Sequence, residues 1–396
     1  MRYALCQNVM SKSILLLTNA YPDFPSSYHG IFIKRIALQL QSEGWKVSVV
    51  TPKIFRESEY FKEEKGVRVF RFPFFAGDRL LIEYSKIPYL RMILYYITGT
   101  FLTLYVVLRY QCRLIHAHWA IPTGPIGAVI GMLLRKPLFV TLHGSDLRMA
   151  TQSSFLKAIF LWVCRKAQHL TCVSEEMKSE LENMGINPDR IAVFPMGVDD
   201  IFFDIGEKRV RRKKDQSFTV LSNRNLQPIY NVSQLIRAIP SVLRAVPDAR
   251  FLIAGDGVER ERLRKEVDRL GIATSVEFLG KIPHEDMPSL LEKTDVYVST
   301  SLSDGTSVSL LEAMASGAFP VVTDIAANKE WITDGMNGFL VPIDDETSLA
   351  QKIVQSLRNE KLMERARQRN WEVVREKAYL KHHMDHLQTI YGPYFK

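Results

Sequence analysis

Short apolar runs rich in β-branched residues alternate with segments of helical periodicity along most of the chain. This alternation predicts strands joined by helices, as in parallel β-α-β units. In the first half the predicted strands are residues 13–18, 46–51, 113–118, 137–142 and 169–173. In the second half they are residues 218–221, 250–254, 275–279, 295–299 and 319–322. Two successive series of this kind predict two doubly wound α/β domains, each with a parallel sheet.

A charged run separates the two series. Residues 206–215 read GEKRVRRKKD, a composition typical of a solvated linker. The sequence therefore predicts a first Rossmann-like domain over residues 1–205, a basic linker over 206–216 and a second Rossmann-like domain over 217–370. Apolar residues then recur at helical spacing, and we expect the terminal segment 371–396 to pack back on the first domain.

The composition is that of a globular protein. Of 396 residues, 46% are hydrophobic and 24% are charged, which excludes disordered and fibrous classes. The four cysteines show no C-x-x-C spacing, and the first residues do not resemble a signal peptide with a cleavage site. We therefore expect free thiols and a cytoplasmic location.

The net charge of +9 favours an anionic neighbour. Up to Ile205 there are 24 Lys and Arg against 17 Asp and Glu, so most of the excess lies in the first half. No helix-turn-helix, RNP or zinc pattern is present, which argues against nucleic acid as the partner. Residues 92–108 are apolar and lie between Arg91 and Arg109, at the lower length limit of a membrane span. Because Thr and Gly dilute this segment, we expect a buried or surface-docking helix and peripheral contact with the inner face of the cell membrane.

Residues that follow the strands of a doubly wound sheet are the first candidates for a site, since ligands bind at the carboxyl ends of such strands. The loop of residues 21–30 ends with Gly30 directly before a predicted helix. Backbone N–H groups at such a position can bind a phosphate or a hydroxyl, although a plain turn explains the pattern equally well.

Histidines and an aromatic residue end two further strands. The segments are His116-Ala-His118-Trp119 and His143-Gly-Ser-Asp146. Imidazole and carboxylate groups can bond sugar hydroxyls, while an aromatic face packs on sugar C–H groups. Zinc bound by the three histidines is an alternative, which we disfavour because we expect His116 and His118 to point to opposite sides of their strand. Each histidine could also be a buried structural residue.

Two carboxylates surround a loop of small residues in the second half. Asp304 begins the loop, and Glu312 lies about one turn inside the helix that follows it from Val308. Amides at a helix start suit a diphosphate, and carboxylates accept hydrogen bonds from vicinal diols. The segment Gly255-Asp-Gly257 also follows a strand, and a turn explains it adequately.

In combination these motifs resemble glycosyltransferase family 4. The resemblance rests on Asp304-x7-Glu312 followed by Ala-Met-Ala-x-Gly, on Pro195-Met-Gly197-Val-Asp199 and on Gly255-Asp-Gly257. It implies the GT-B fold, with two Rossmann-like domains facing each other across a cleft. It also implies retaining, metal-independent transfer of a hexosyl group from a nucleotide-sugar co-substrate, with no further cofactor. The basic first half and the apolar segment favour a glycan or lipid-linked acceptor in envelope polysaccharide or glycolipid synthesis.

The resemblance also implies roles for particular residues. Glu312 matches the position that holds the nucleotide ribose, Asp304 the one that contacts the donor sugar, and His143 the histidine facing the reacting centre. Gly30, His118 and Asp146 lie on the acceptor side. The predicted donor-binding residues are Gly305, Thr306, Ser307, Val308, Leu311, Glu312, Asn225 and Tyr230.

Two departures from the family pattern affect the donor site. The first carboxylate is commonly Glu and here is Asp304. The family segment that gives an Arg and a Lys to the diphosphate reads Arg224-Asn-Leu-Gln-Pro-Ile-Tyr230, which puts Asn225 and Tyr230 at those positions. We expect Arg224 to supply the phosphate contact and to form the catalytic set with His143 and Asp304. The alternative is an arginine in a solvated loop.

Other mechanisms and functions remain open from the sequence. Retention can arise from attack on the same face, with the leaving phosphate taking the acceptor proton, or from a double displacement with Asp304 as nucleophile. A non-catalytic subunit that binds sugar nucleotides or glycans is the alternative function, and a GT-B epimerase is a third.

Overall fold

The computed structural model describes residues 12–24, 29–75, 77–78, 88–195, 197–210 and 218–395. The chain divides into two compact units. The first unit comprises Met1–Phe194 and His383–Lys396, and the second comprises Pro195–His382. Each unit contains its own sheet.

The first unit contains an eight-stranded sheet, in the order β3-β4-β2-β1-β5-β6-β7-β8. Its strands are β1 (Ser13–Leu17), β2 (Lys46–Lys53), β3 (Phe61–Glu64), β4 (Val67–Pro73), β5 (Leu114–His118), β6 (Leu138–Leu142), β7 (His169–Cys172) and β8 (Ile191–Val193). Its helices are α1 (Ile31–Ser42), α2 (Tyr89–Arg109), α3 (Gly124–Leu134), α4 (Ser145–Thr151), α5 (Ser154–Lys166) and α6 (Glu175–Asn183). Every residue of β1, β5 and β6 is buried, as expected for parallel strands covered on both faces.

The second unit contains a six-stranded parallel sheet, in the order β11-β10-β9-β12-β13-β14. Its strands are β9 (Thr219–Ser222), β10 (Arg250–Ala254), β11 (Val276–Gly280), β12 (Val296–Ser299), β13 (Phe319–Thr323) and β14 (Phe339–Val341). The helices are α7 (Asp200–Val210), α8 (Val232–Ala245), α9 (Arg260–Arg269), α10 (Met287–Glu292), α11 (Val308–Ala315), α12 (Ala326–Lys329), α13 (Glu346–Arg358) and α14 (Glu360–Ala378). The last helix, α15 (Leu380–Tyr391), begins in this unit and ends in the first.

Both sheets have a topological switch point, where the strand order reverses. In the second unit the order corresponds to 3-2-1-4-5-6, and the reversal falls between β9 and β12. In the first unit it falls between β1 and β5. Loops that leave neighbouring strands at such a point diverge to opposite faces and open a crevice for a ligand.

The ten predicted strands are confirmed, each within two residues at either end. Four strands were missed: β3, β4, β8 and β14. Charged residues interrupt the apolar pattern of the hairpin β3–β4, and β8 and β14 have only three residues each.

The predicted domain boundaries differ from the observed division. Residues 206–210 are the last turn of α7 and not a linker, whereas residues 211–217 lie outside the described part of the chain. The predicted terminal helix is broken at Tyr379, which lies in extended backbone and pairs with Val198 of the second unit. Residues 371–382 accordingly belong to the second unit, and only residues 383–396 belong to the first.

Helix α2 covers the predicted apolar segment. Within the described residues it is the one helix long and apolar enough to cross a membrane, over Leu90–Arg109. Its inner side is buried at Tyr95, Thr103 and Val106 and contacts β2, β4 and α3. A Cβ atom on Gly99 would lie 2.8 Å from Cδ1 of Ile126, so glycine permits close packing on α3. The outer side exposes a stripe of large apolar residues: Leu90, Ile93, Ile97, Phe101, Tyr105 and Leu108.

Candidate active site

Arg224 is the centre of the site in the second unit. It follows β9 by two residues and is only 8% exposed. Its Nη1 donates to Oγ of Ser307 at 2.7 Å, and its Nη2 donates to the carboxylate of Asp304. The guanidinium carbon lies 4.3 Å from the ring centroid of Tyr230. Arg224 is therefore held by the loop after β12, across the switch point, and is not an arginine of a solvated loop.

The charge of Arg224 is preserved despite its burial. Burial alone would lower the pKa of this guanidinium, and the neighbouring Asp304 carboxylate more than offsets that effect, so the pKa is raised. Its Nε atom is buried without a hydrogen-bond partner among the described residues. A buried donor of this kind is costly unless a ligand satisfies it.

The start of α11 lies next to Arg224. Ser307 is the N-cap, and its hydroxyl accepts a hydrogen bond from the N–H of Leu310. The N–H of Gly305 donates to Oδ1 of Asp304 at 3.0 Å. Thr306 is buried, and Val308 begins the helix. The positive end of the helix dipole and the Arg224 cation thus lie at the same place.

Glu312 extends from α11 and is only 3% exposed. Its Oε1 lies 2.9 Å from Nε2 of His284, a residue of the short turn His284–Asp286 between β11 and α10. Sequence reasoning did not identify His284, because nothing in its surroundings marks it as part of a motif. The contact depends on the tertiary structure alone.

The motif Gly255-Asp-Gly257 has a structural role beyond a turn. A Cβ atom on Gly255 would lie 2.2 Å from the carbonyl oxygen of Arg224, and one on Gly257 equally close to that of Leu226. The N–H of Leu226 donates to the carbonyl oxygen of Asp256 at 3.0 Å. Both glycines therefore allow the β10–α9 loop to support the backbone that carries Arg224.

Two of the predicted donor-binding residues, Asn225 and Leu311, differ in their exposure to solvent. Asn225 is exposed beside Arg224. Leu311 is fully buried in the apolar core of the second unit, and its N–H donates to the carbonyl oxygen of Ser307. The side chain and the N–H of Leu311 are therefore both engaged within the unit, and its contact with the donor stays a prediction.

The rings of His116, His118 and His143 stack against one another near the carboxyl ends of β5 and β6. The rings of His116 and His118 lie 4.6 Å apart, and Nδ1 of His118 lies 3.2 Å from Nε2 of His143. The indole of Trp119 lies 4.3 Å from the His143 ring. The expectation that His116 and His118 point to opposite sides is wrong, because residues i and i+2 of a strand share a face.

The zinc alternative gains no support from this cluster. Both ring nitrogens of His116 already face hydroxyl groups, that of Tyr391 at 2.5 Å and that of Thr141 at 2.7 Å. Among the described residues there is no group of three side chains suited to hold a metal ion. Burial lowers the pKa of His116 and of His143 to about 3, and that of His118 well below its usual value, so all three rings are neutral near pH 7.

Asp146 joins the loops that follow β5 and β6. It is 1% exposed, and its carboxylate accepts hydrogen bonds from the N–H groups of Ala120, His143 and Leu147. Burial raises its pKa to about 6, although these hydrogen bonds act in the opposite direction. Asp146 and His118 are both buried and both contact His143, and their contact with an acceptor stays a prediction.

Gly30 begins α1 with a left-handed backbone, at φ 76°. A Cβ atom at this position would lie 2.2 Å from the carbonyl oxygen of Ala20. Glycine is therefore required here for both the dihedral angle and the close approach of the loop after β1. The partly exposed Trp119 lies on the neighbouring strand end, on the other side of the switch point.

Comparison with known proteins agrees with this arrangement of two units, each with its own sheet. Residues 30–201 match the family model described as Glycosyltransferase Family 4, and residues 204–372 match that of Glycosyl transferases group 1. HepE of Anabaena, solved in complex with UDP-glucose, superposes with a TM-score of 0.72 at 18% identity, over 96% of this chain and 99% of its own. The protein thus has the GT-B fold of glycosyltransferases.

The chain belongs to glycosyltransferase family 4. It is 28% identical to the uncharacterized glycosyltransferase MJ1178 of Methanocaldococcus jannaschii, over 63% of this chain and 66% of that protein. It is 24% identical to the Escherichia coli UDP-Gal:alpha-D-GlcNAc-diphosphoundecaprenol alpha-1,3-galactosyltransferase, over 82% of this chain and 84% of that protein. These relatives support transferase activity, and the alternative of a non-catalytic binding subunit is not favoured.

Proposed function

We propose that the protein transfers a hexosyl group, with retention, from a nucleotide sugar to a lipid-linked or polysaccharide acceptor of the cell envelope. The observation that carries this proposal is the buried Arg224, held by Asp304 and Ser307 at the start of α11. A fixed cation, a helix N-terminus and a carboxylate together suit the diphosphate and the sugar of a donor. The second unit is then the donor-binding unit, and the first is the acceptor-binding unit.

In this proposal, each side chain or backbone group of the donor site binds one part of the donor. Arg224 and the start of α11 bind the diphosphate, the amides from Gly305 to Val308 face the sugar and the diphosphate, Asp304 bonds the sugar hydroxyls, and Glu312 bonds the ribose. Asn225 and Tyr230 border Arg224. The solved complex of Anabaena HepE with UDP-glucose makes UDP-sugars the first donors to test.

In the proposed transfer reaction, the donor site stabilises the departing diphosphate. The acceptor oxygen forms a bond to the anomeric carbon on the face from which the diphosphate departs, and the bond from that carbon to the phosphate oxygen breaks. The leaving phosphate oxygen takes the acceptor proton, so no protein base is needed. Arg224 and the α11 terminus stabilise the negative charge that develops on the departing diphosphate. Preorganised hydrogen-bond donors of this kind are expected to make the main electrostatic contribution to catalysis.

The first unit supplies the acceptor side in this proposal. The loop at Gly30 and the neutral ring of His143 provide hydrogen-bonding groups. Because its pKa is lowered to about 3, His143 does not add a positive charge near the sugar at neutral pH. His118 and Asp146 maintain its position.

We also propose that the first unit docks on an anionic membrane surface through α2. The exposed apolar stripe on this helix is flanked by the exposed side chains of Arg91 and Arg109. An apolar face with basic neighbours is typical of helices that lie in the membrane interface. The Escherichia coli relative acts on a lipid diphosphate, which agrees with a lipid-linked acceptor.

The test is transfer of radiolabelled sugar from UDP-hexoses to lipid and polysaccharide extracts, with Glu312→Gln measured beside the wild type. We expect wild-type transfer from at least one donor. Glu312→Gln should raise the apparent donor KM about tenfold or more with little change in kcat, because the ribose contact is alike in ground and transition states.

Two outcomes would contradict the proposal. An unchanged donor KM with a large loss of kcat in Glu312→Gln would refute the ribose assignment. If a nucleotide sugar binds but no acceptor or water receives its sugar, the binding-only function is correct. Product analysis without an acceptor separates transfer from epimerisation of the donor sugar.

A further inference from the structure

His284 and Glu312 make a close contact inside the second unit. Nε2 of His284 lies 2.9 Å from Oε1 of Glu312. A carboxylate only accepts hydrogen bonds, so Nε2 must carry the proton and donate it. The side chain of Glu312 is 4% exposed and that of His284 is 24% exposed. The carboxylate is thus withdrawn from water, and the imidazole that contacts it is partly exposed.

The position of His284 is itself fixed. The residue begins a short helical turn that the N–H of Asp286 closes by donating to the carbonyl oxygen of Pro283, at 2.9 Å. The buried ring of Phe202 on α7 meets the imidazole at nearly a right angle, with the centroids 5.7 Å apart. Backbone and ring contacts therefore hold the imidazole where it faces Glu312.

We propose that His284 is a positioning residue that orients the Glu312 carboxylate for the two ribose hydroxyls of the donor. The inference rests on the proposed function, in which Glu312 bonds the ribose. A buried carboxylate without a donor nearby would turn to another partner, and this change would weaken its bonds to a diol. The His284 bond holds the carboxylate in one orientation, as outer-shell partners do for other functional side chains.

The sharpest test compares a ribonucleotide with its 2′-deoxy form. Binding of UDP and 2′-deoxy-UDP is measured by calorimetry for the wild type, Glu312→Gln, His284→Leu and His284→Gln. GDP and ADP with their 2′-deoxy forms serve if UDP does not bind. We expect the wild type to prefer UDP by about tenfold, as for a hydrogen bond to a charged group. The preference should fall to about twofold or less in Glu312→Gln and in His284→Leu.

His284→Gln should restore most of the preference, because its amide nitrogen can replace Nε2 as the donor. His284→Asn should not, because its side chain is one methylene shorter and its amide ends short of Nε2. Glu285→Gln, an exposed change in the same turn, is the matched control and should behave as the wild type. In the transfer assay, His284→Leu should raise the donor KM with little change in kcat.

The outcomes distinguish the proposed role of Glu312 in ribose binding from the proposed role of His284 in orienting Glu312. Equal binding of UDP and 2′-deoxy-UDP by the wild type would refute the ribose role of Glu312, and the His284 inference with it. A preference that is lost in Glu312→Gln but kept in His284→Leu would overturn the role of His284 alone. Tighter UDP binding by His284→Leu would also overturn it, since His284 would then compete with the ribose. If His284→Leu does not fold, the comparison of His284→Gln with His284→Asn decides the question.

Discussion

In the proposed donor site, the one residue Arg224 takes the place of two family cations. It carries a buried positive charge at the start of α11, where the family pattern leads one to expect an Arg and a Lys and this chain has Asn225 and Tyr230. Tyr230 contributes its ring to the guanidinium instead of a second cation. The Nε donor, which has no hydrogen-bond partner within the described part of the chain, is suited to a phosphate oxygen.

We predict that Arg224→Ala lowers donor kcat/KM by an amount equivalent to roughly 2–4 kcal/mol of transition-state stabilisation, the range found for preorganised oxyanion donors. Arg224→Lys should recover only part of the loss, because an ammonium group cannot replace a guanidinium that bonds Asp304 and Ser307 at once. Steady-state kinetics with a UDP-hexose that supports transfer provides the measurement.

Arg237→Ala is the control for removing a cation. Arg237 lies on α8 of the same unit and forms an ion pair with Glu346. This variant should keep wild-type kinetics. A fall of less than about threefold for Arg224→Ala would mean that the helix terminus alone binds the diphosphate.

Helix α2 has one face packed in the first unit and one face exposed. Its inner side packs on the first unit's own sheet and on α3, while its outer side exposes large apolar residues at spacings of three and four. Phe101 is 70% exposed in the middle of this stripe. A helix packed in this way is suited to lie on a membrane surface, because it already contributes one face to the core of the unit.

We predict that the double variant Ile97→Asp, Phe101→Asp reduces binding to anionic phospholipid vesicles by tenfold or more, because burying a large apolar side chain contributes about 1.5–3 kcal/mol. Vesicle flotation measures the bound fraction. High salt should release the wild type, since the attraction between basic residues and lipid headgroups is screened.

Val258→Asp is the matched control for α2, since Val258 is 77% exposed in the second unit. Vesicle binding should be unchanged in this variant. If native membranes retain the wild type after carbonate washing, α2 spans the bilayer. If the wild type does not float with vesicles, docking is refuted.

At the scale of the whole molecule, burial of histidines links stability to pH. His116 and His118 are buried in the first unit with lowered pKa values, so the folded state binds fewer protons than the unfolded state. The contribution of His116 is fully present above pH 6.5 and is lost as the pH falls towards 3, and His118 acts in the same direction. Each should lower the free energy of unfolding by about 1.4 kcal/mol per pH unit below 6.5. Asp146, with a raised pKa, acts in the opposite direction between about pH 6 and 4.

Comparing a variant with the wild type isolates the histidine effect. Urea unfolding between pH 7.5 and 4.5 should show a smaller loss of stability for His116→Gln than for the wild type, by about 1.4 kcal/mol per pH unit. His386→Gln, which alters an exposed histidine of the same unit, should follow the wild type. Parallel pH profiles for the wild type and His116→Gln would show that His116 does not titrate as its burial implies.

The sequence by itself determined ten of the strands and the residue types of the loops that follow them. Ten strands, the start of α1 and the start of α11 follow from local periodicity and from glycine and small-residue signals, because these patterns reflect the repeat of the backbone itself. The same local information indicated Asp304, Glu312 and Gly30, and with them the family. It did not determine Leu311, whose helical position turns its side chain into the core.

Only the tertiary structure decided which residues meet. Arg224 bonds Asp304 and Ser307 about 80 residues away, because the strand order places β9 beside β12. Tyr391 reaches His116 across 275 residues, and Glu312 meets a histidine that no motif marks. Such contacts depend on strand order and on burial, which local periodicity does not encode. Local pattern can therefore indicate that a carboxylate is functional, whereas its partner, its charge state and its access to water are properties of the packed unit.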